Sequence, residues 1–126
     1  MNNITVTFIQ NRTVWLLLSI GLAATVAVLT LTPQASMPVG PQGIDKVYHM
    51  VAFAALIFPT AMLRPKRCLA AGFLAILYGG MIEVIQPAFG RSADMSDLMA
   101  DVLGVATGIF LGLAARRILL ERRSVL

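Results

Sequence analysis

Four apolar runs, each long enough to cross a bilayer, take up most of the chain between residues 13 and 120. A hydrocarbon core takes about 20 helical residues. A backbone in lipid must satisfy its own polar groups, so such runs fold as helices. The first run covers about residues 13–32, carries no charge and stops at Pro33. It exceeds the roughly 7–15 apolar residues of a signal peptide, so a retained helix is expected. The second, about 45–63, contains Pro59 and is predicted to kink there. The third covers about 68–86 and stops at Pro87; the fourth covers about 94–120. Residues 33–44 hold three prolines and two glycines and are read as a loop, and Arg64-Pro65-Lys66-Arg67 as a tight basic turn. The expected fold class is all-α: a polytopic membrane protein with four transmembrane helices in a small bundle. Residues 1–126 are read as a single membrane domain. The charged fraction of 13% supports this, being about half that of a typical soluble protein.

Charge gives the orientation. Arg12, Arg64, Lys66, Arg67, Arg116, Arg117, Arg122 and Arg123 fall on one side of the expected membrane. Only Lys46 and Arg91 fall on the other. Positive residues stay cytoplasmic, so both termini are expected inside and loops 1–2 and 3–4 outside, in a multi-pass protein of the inner (cytoplasmic) membrane. The net charge of +4 then reflects orientation, and nucleic acid is not an expected partner. The single cysteine, Cys68, has no internal partner and no neighbour at metal-ligand spacing.

The same layout places the acids. Five of six, Asp45, Glu83, Asp94, Asp97 and Asp101, lie at the outward helix ends with Lys46, His49, Gln86 and Arg91. Asp45 and His49 share a helix face, as do Glu83 and Gln86, and Asp94, Asp97 and Asp101 form an i, i+3, i+7 stripe. Asp94 and Asp97 resemble a capping box. Gly104, Gly108 and Gly112 continue the stripe, and Gly72, Ala75, Gly79 and Gly80 form a similar narrow face on the third span. These faces are expected to pack spans three and four backbone to backbone, bringing Glu83, Asp97 and Asp101 together. Ionisable groups within a bilayer are costly and are most often functional, above all the deepest, Glu83 and Asp101.

The order DKVYHM, YGGMIEVIQ, GRSADMSDLMADVLG resembles the VanZ-like family of membrane proteins. The resemblance covers residues 45 to about 112. It rests on Asp-Lys-x-x-His (Asp45, Lys46, His49), Glu-x-x-Gln (Glu83, Gln86) and Arg-x-x-Asp-x-x-Asp (Arg91, Asp94, Asp97). Span one matches only as a generic membrane helix. Where the family often has Asn, this chain has Asp101. The family takes its name from a protein linked to teicoplanin, hence glycopeptide, resistance. The resemblance implies a fold and a motif more than a reaction.

Three readings stay open at this stage. The first is a lipid-headgroup site with chemistry. There Arg91, Lys46 and protonated His49 would bind a phosphate or pyrophosphate, His49 would act as general base or nucleophile oriented by Asp45, and Glu83 and Asp97 would handle a proton or a divalent cation. Gln86 and Asp101 join the ligand-binding set. The ligands considered are membrane lipids, a polyprenyl-phosphate lipid or a glycopeptide. Five carboxylates against two fixed cations would repel an anion unless a metal or a proton offsets them. In the second reading the cluster holds a cation, lipid or glycopeptide without reacting; carboxylates with His and Gln suit a divalent cation, but no spacing identifies the metal. In the third the cluster ties helix ends together in a scaffold. Whether the chain is an enzyme stays open, a homo-oligomer is compatible with it, and a transport path would need one.

Overall fold

A computed structural model of the chain describes residues 11–33 and 40–121, with side chains to residue 119. It contains four long helices: α1 (Arg12–Leu31), α2 (Ile44–Leu63), α3 (Cys68–Ile85) and α4 (Met95–Glu121). Short 3-10 turns, Pro65–Arg67 and Gln86–Phe89, flank α3. There is no strand among the described residues. All four long helices are long and apolar enough to cross a membrane, as the hydropathy predicts, and their ends fall within two residues of the expected ones. Residues 34–39 of the expected first loop, and Arg122 and Arg123 of the basic tail, lie outside the described residues.

The helix ends follow from local chemistry. Asn11 caps α1, its Oδ1 accepting from the Thr13 N–H at 2.9 Å. Gly43 starts α2 at a φ of 83°, and Gly90 turns the chain toward α4 at 72°; both lie in the left-handed region that glycine adopts without a Cβ clash. α2 stays helical through Pro59, although the proline ring removes one intrahelical donor.

The core is a single cluster of Val26, Phe53, Leu56, Ile57, Ala75, Ile82 and Val105, drawn from all four helices. The opposite faces carry large exposed apolar side chains, among them Leu17, Leu69, Val84 and Phe110 at 65–80% exposure. Such surface on every helix needs lipid to cover it.

The most extensive interface lies between α2 and α4. This corrects the expected pairing of the glycine stripe with α3. A Cβ on Gly104 would strike the Met50 carbonyl oxygen, and one on Gly108 the Ala54 carbonyl oxygen and the Ile57 side chain. A Cβ on Gly112 would lie 2.7 Å from the Ala61 Cβ. The stripe therefore meets α2, where Ala54 and Ala61, two turns apart, supply the facing small surface. The narrow face of α3 does meet α4, but through side chains rather than the glycine stripe: Gly72 receives Val105 and Ile109, Gly79 receives Asp101, and Gly80 faces nothing within 4 Å.

α1 packs mainly on α2 and also reaches α3. At the basic end Trp15 donates its indole N–H to the Thr60 hydroxyl at 3.0 Å. Its ring lies 5.9 Å and 5.7 Å from the Arg64 and Arg67 guanidinium carbons, within cation–π range. Midway, the Tyr78 hydroxyl donates to the Ala23 carbonyl at 2.6 Å. Arg116 donates to the Met62 carbonyl at 3.1 Å, a cation on the exposed carbonyls of a helix C-terminus. A cavity of about 290 Å³ lies beside it, lined by Arg64, Lys66, Arg67 and Arg116 with Leu63 and Pro65.

Candidate functional site

The other end of the bundle gathers the acids. The close α2–α4 approach sets His49, in the second turn of α2, against Asp101, in the second turn of α4. Both are buried, at 2% and 0% exposure. Gly79 makes room for the carboxylate: a Cβ there would sit 2.5 Å from Asp101 Oδ2. His49 Nδ1 lies 2.9 Å from Asp101 Oδ1. With Asp101 ionised and the imidazole neutral, the Nδ1–H donates to the carboxylate and the Nε2 lone pair points the other way. Nε2 has no hydrogen-bond partner and lies 3.8 Å from Asp97 Oδ2. The expected orienting residue, Asp45, instead lies beside Lys46 at 3.5 Å. Asp45 does share a face of α2 with His49, but Asp101 reaches the ring from the facing helix.

Lys46 links three carboxylates. Its Nζ is 3.0 Å from Asp94 Oδ2, 3.0 Å from Asp97 Oδ1 and 3.5 Å from Asp45 Oδ2. Its side chain is 37% exposed and that of Asp97 only 3%. Lys46 thus neutralises a carboxylate that would otherwise be buried without a cation.

Asp94 caps α4. Its Oδ1 accepts from the Ser96 N–H at 2.8 Å and the Ser96 hydroxyl at 2.6 Å. Those two bonds, with the Lys46 ammonium, hold the Asp94 carboxyl down at about 2, so it stays ionised throughout the physiological range. The expected capping box is only half formed. Asp97 does not return to the Asp94 N–H, which donates instead to Glu83 Oε2 at 2.9 Å. Glu83, at the end of α3, thereby supplies the acid that the start of α4 attracts. Its Oε1 is buried without a partner.

Gln86 and Arg91 turn toward α1. Gln86 is fully buried and donates Nε2 to the Thr30 carbonyl at 3.1 Å. Arg91 is 9% exposed, with Nη1 3.5 Å from the Thr32 carbonyl oxygen. Both satisfy carbonyls that the last turn of α1 leaves open. Nothing in the sequence marked those carbonyls as targets, because every helix end has them. Ser96 and Gly79 also passed unrecognised as supports of the site, although Gly79 stood out as a small residue.

Of the nine polar residues singled out in the sequence, six form one connected group: Asp45, Lys46, Asp94, Asp97, His49 and Asp101. Glu83 joins it through the Asp94 backbone. One ligand atom each from His49, Glu83 and Asp97 lie within 4.8 Å of one another, and all three residues are buried. A neutral imidazole with an accepting Nε2, flanked by two carboxylates, can take up a proton or hold a divalent cation.

The fold and this cluster define a small polytopic membrane protein: four spanning helices with a buried His–carboxylate group at one end and arginines at the other. The VanZ/LLP1 family model matches residues 3–116, nearly the whole chain, and the chain belongs to that family. The match includes α1, which the motif resemblance left generic. No curated protein and no solved structure matches the chain.

Proposed function

We propose that this VanZ-like protein acts at the outer leaflet of the inner (cytoplasmic) membrane on a cell-envelope lipid or glycopeptide-related ligand, in the range of functions linked to glycopeptide (teicoplanin) resistance. The cluster of Asp45, Lys46, His49, Glu83, Asp97 and Asp101 is the working site, and both termini are cytoplasmic. One observation carries the reading. Glu83 and His49, at 7% and 2% exposure, each keep a buried polar atom without a partner at the same end of the bundle. Unsatisfied buried atoms cost about 1–3 kcal/mol each, so a fold that only tied its helices together would be better served by apolar residues. The Lys and Arg asymmetry supports the outward direction of this end.

A second reading has its own support. Lys46 is shared among three carboxylates of the protein, so a phosphate would have to compete with them. This favours a non-enzymatic scaffold, or a protein that holds a cation or lipid without transforming it.

Mass spectrometry of lipids retained by the intact protein in mild detergent separates the readings. The first expects a polyprenyl-phosphate-type lipid or a glycopeptide precursor with the native protein, and its loss from Glu83→Gln at equal membrane abundance. Bulk phospholipid alone in both samples would leave the scaffold reading. A C-terminal reporter should read cytoplasmic; a signal from the far side would reverse the side assignment.

A further inference from the structure

We infer that His49, Glu83 and Asp97 form a binding site for one divalent first-row transition cation of the Zn²⁺ or Mn²⁺ class, with Asp101 as the residue that positions His49. The site lies within the cluster proposed above as the working site, but a cation bound there needs only side chains of this chain and no headgroup ligand.

Three features point to it. The candidate ligand atoms come from three helices and lie within 4.8 Å of one another. Two belong to groups over nine-tenths buried and have atoms without hydrogen-bond partners, His49 Nε2 and Glu83 Oε1. The remaining bonds hold these atoms in place. Asp101 Oδ1 lies 2.9 Å from His49 Nδ1, the placement in which a carboxylate behind a metal-binding histidine accepts from its far N–H and fixes its tautomer. The Asp94 N–H takes Glu83 Oε2, and Lys46 takes Asp97 Oδ1. Each carboxylate is thus anchored by one oxygen, and the Asp97 Oδ2 atom faces His49 Nε2 at 3.8 Å.

Metal bonds of about 2.0–2.2 Å put neighbouring ligand atoms roughly 3–4 Å apart, so the His49–Asp97 separation already fits and the widest pair would close by about 1 Å. One imidazole nitrogen and two carboxylate oxygens suit a borderline cation. Ca²⁺ prefers six to eight oxygens, and Mg²⁺ usually keeps several waters. Charge agrees. Asp45, Glu83, Asp94, Asp97 and Asp101 face Lys46 and Arg91 at this end of the chain, an excess of three negative charges that a divalent cation reduces to one.

The test uses untagged full-length protein in lipid-free detergent, stripped with chelator and reloaded with Zn²⁺ or Mn²⁺ alone. About one equivalent should remain after desalting. His49→Ala, Glu83→Gln and Asp97→Asn should each weaken binding more than about 100-fold, and Asp101→Asn about 10–100-fold as for a residue behind a ligand. Cys68→Ala should bind as the native protein does. Well under one equivalent on the native chain, or binding that survives all three ligand substitutions in folded protein, overturns the site. A second readout covers variants that fail to fold. The chain has a single histidine, so Co²⁺-loaded native protein should show one strongly shifted imidazole N–H resonance, and its absence overturns the site as well. Because no lipid is present, failure here is distinct from failure of the headgroup reading.

Discussion

Replacing Gly104 by alanine adds one methyl group at the tightest point between α2 and α4. A Cβ at that position would collide with the Met50 carbonyl oxygen and lie 3.0 Å from the Met50 carbonyl carbon and Cα. All three are backbone atoms, so no rotamer change relieves the contact and the helices must separate. Overpacking of this kind costs about 1–3 kcal/mol. The same change at Gly80, where nothing lies within 4 Å, is the matched control. Both substitutions gain the same helix propensity of roughly 0.5–1 kcal/mol. That gain cancels in the comparison, and the difference between the variants is the strain alone. Thermal unfolding in one detergent, followed by circular dichroism, should therefore place Gly104→Ala below Gly80→Ala by about 1–3 kcal/mol. Met50 adjoins His49, so the separation should also stretch the 2.9 Å contact between His49 and Asp101. Equal stability of the two variants would refute the α2–α4 packing, and with it the account of how these side chains meet.

Other substitutions probe single contacts. Gln86→Leu removes the donor to the Thr30 carbonyl and should loosen the end of α1 by about 1–3 kcal/mol, read as faster proteolysis between α1 and α2. Trp15→Leu loses the bond to Thr60 and both arginine contacts, and should lower the unfolding midpoint by an amount equal to about 1–3 kcal/mol. Ser96→Ala removes one of two donors to Asp94 Oδ1 but leaves the backbone cap, so a loss of only about 0.5–1.5 kcal/mol is expected in the same assay. Gly79→Val should be far more damaging than Gly80→Val, since only the first intrudes on Asp101 and Phe53.

The helices were legible because apolar length and proline placement are local properties. Each boundary depended on a residue such as Pro33, Pro87 or Asp94 that acts on its own backbone. The end at which the polar residues gather followed from the same layout. What the sequence hid is pairing. The stripe of Gly104, Gly108 and Gly112 shows that one face of α4 is narrow, but a narrow face does not name its partner. α3 advertised four small residues, while α2 needed only Ala54 and Ala61 in the right register. Helical spacing likewise put Asp45 and His49 on one face, but their polar atoms find partners elsewhere, Asp101 across the interface and Lys46 next door. Glu83 was expected near Asp97 and Asp101, yet its bond to the start of α4 uses a backbone N–H that carries no residue-type signal. Gln86 and Arg91 were legible as polar residues near a helix end, but not as partners of the carbonyls of α1.

Those carbonyls have a consequence of their own. Tyr78, Gln86 and Arg91 approach α1 at Ala23, Thr30 and Thr32, each time at a backbone oxygen. A main-chain oxygen is present whatever side chain its residue carries. The first helix is therefore gripped through groups that substitution leaves in place, while the residues doing the gripping sit on α3 and the turn beyond it. Beyond Trp15, which makes side-chain contacts of its own, its sequence can drift among apolar residues of similar size without losing its berth. A helix recognised in this way would look anonymous in the sequence and still be fixed in the fold.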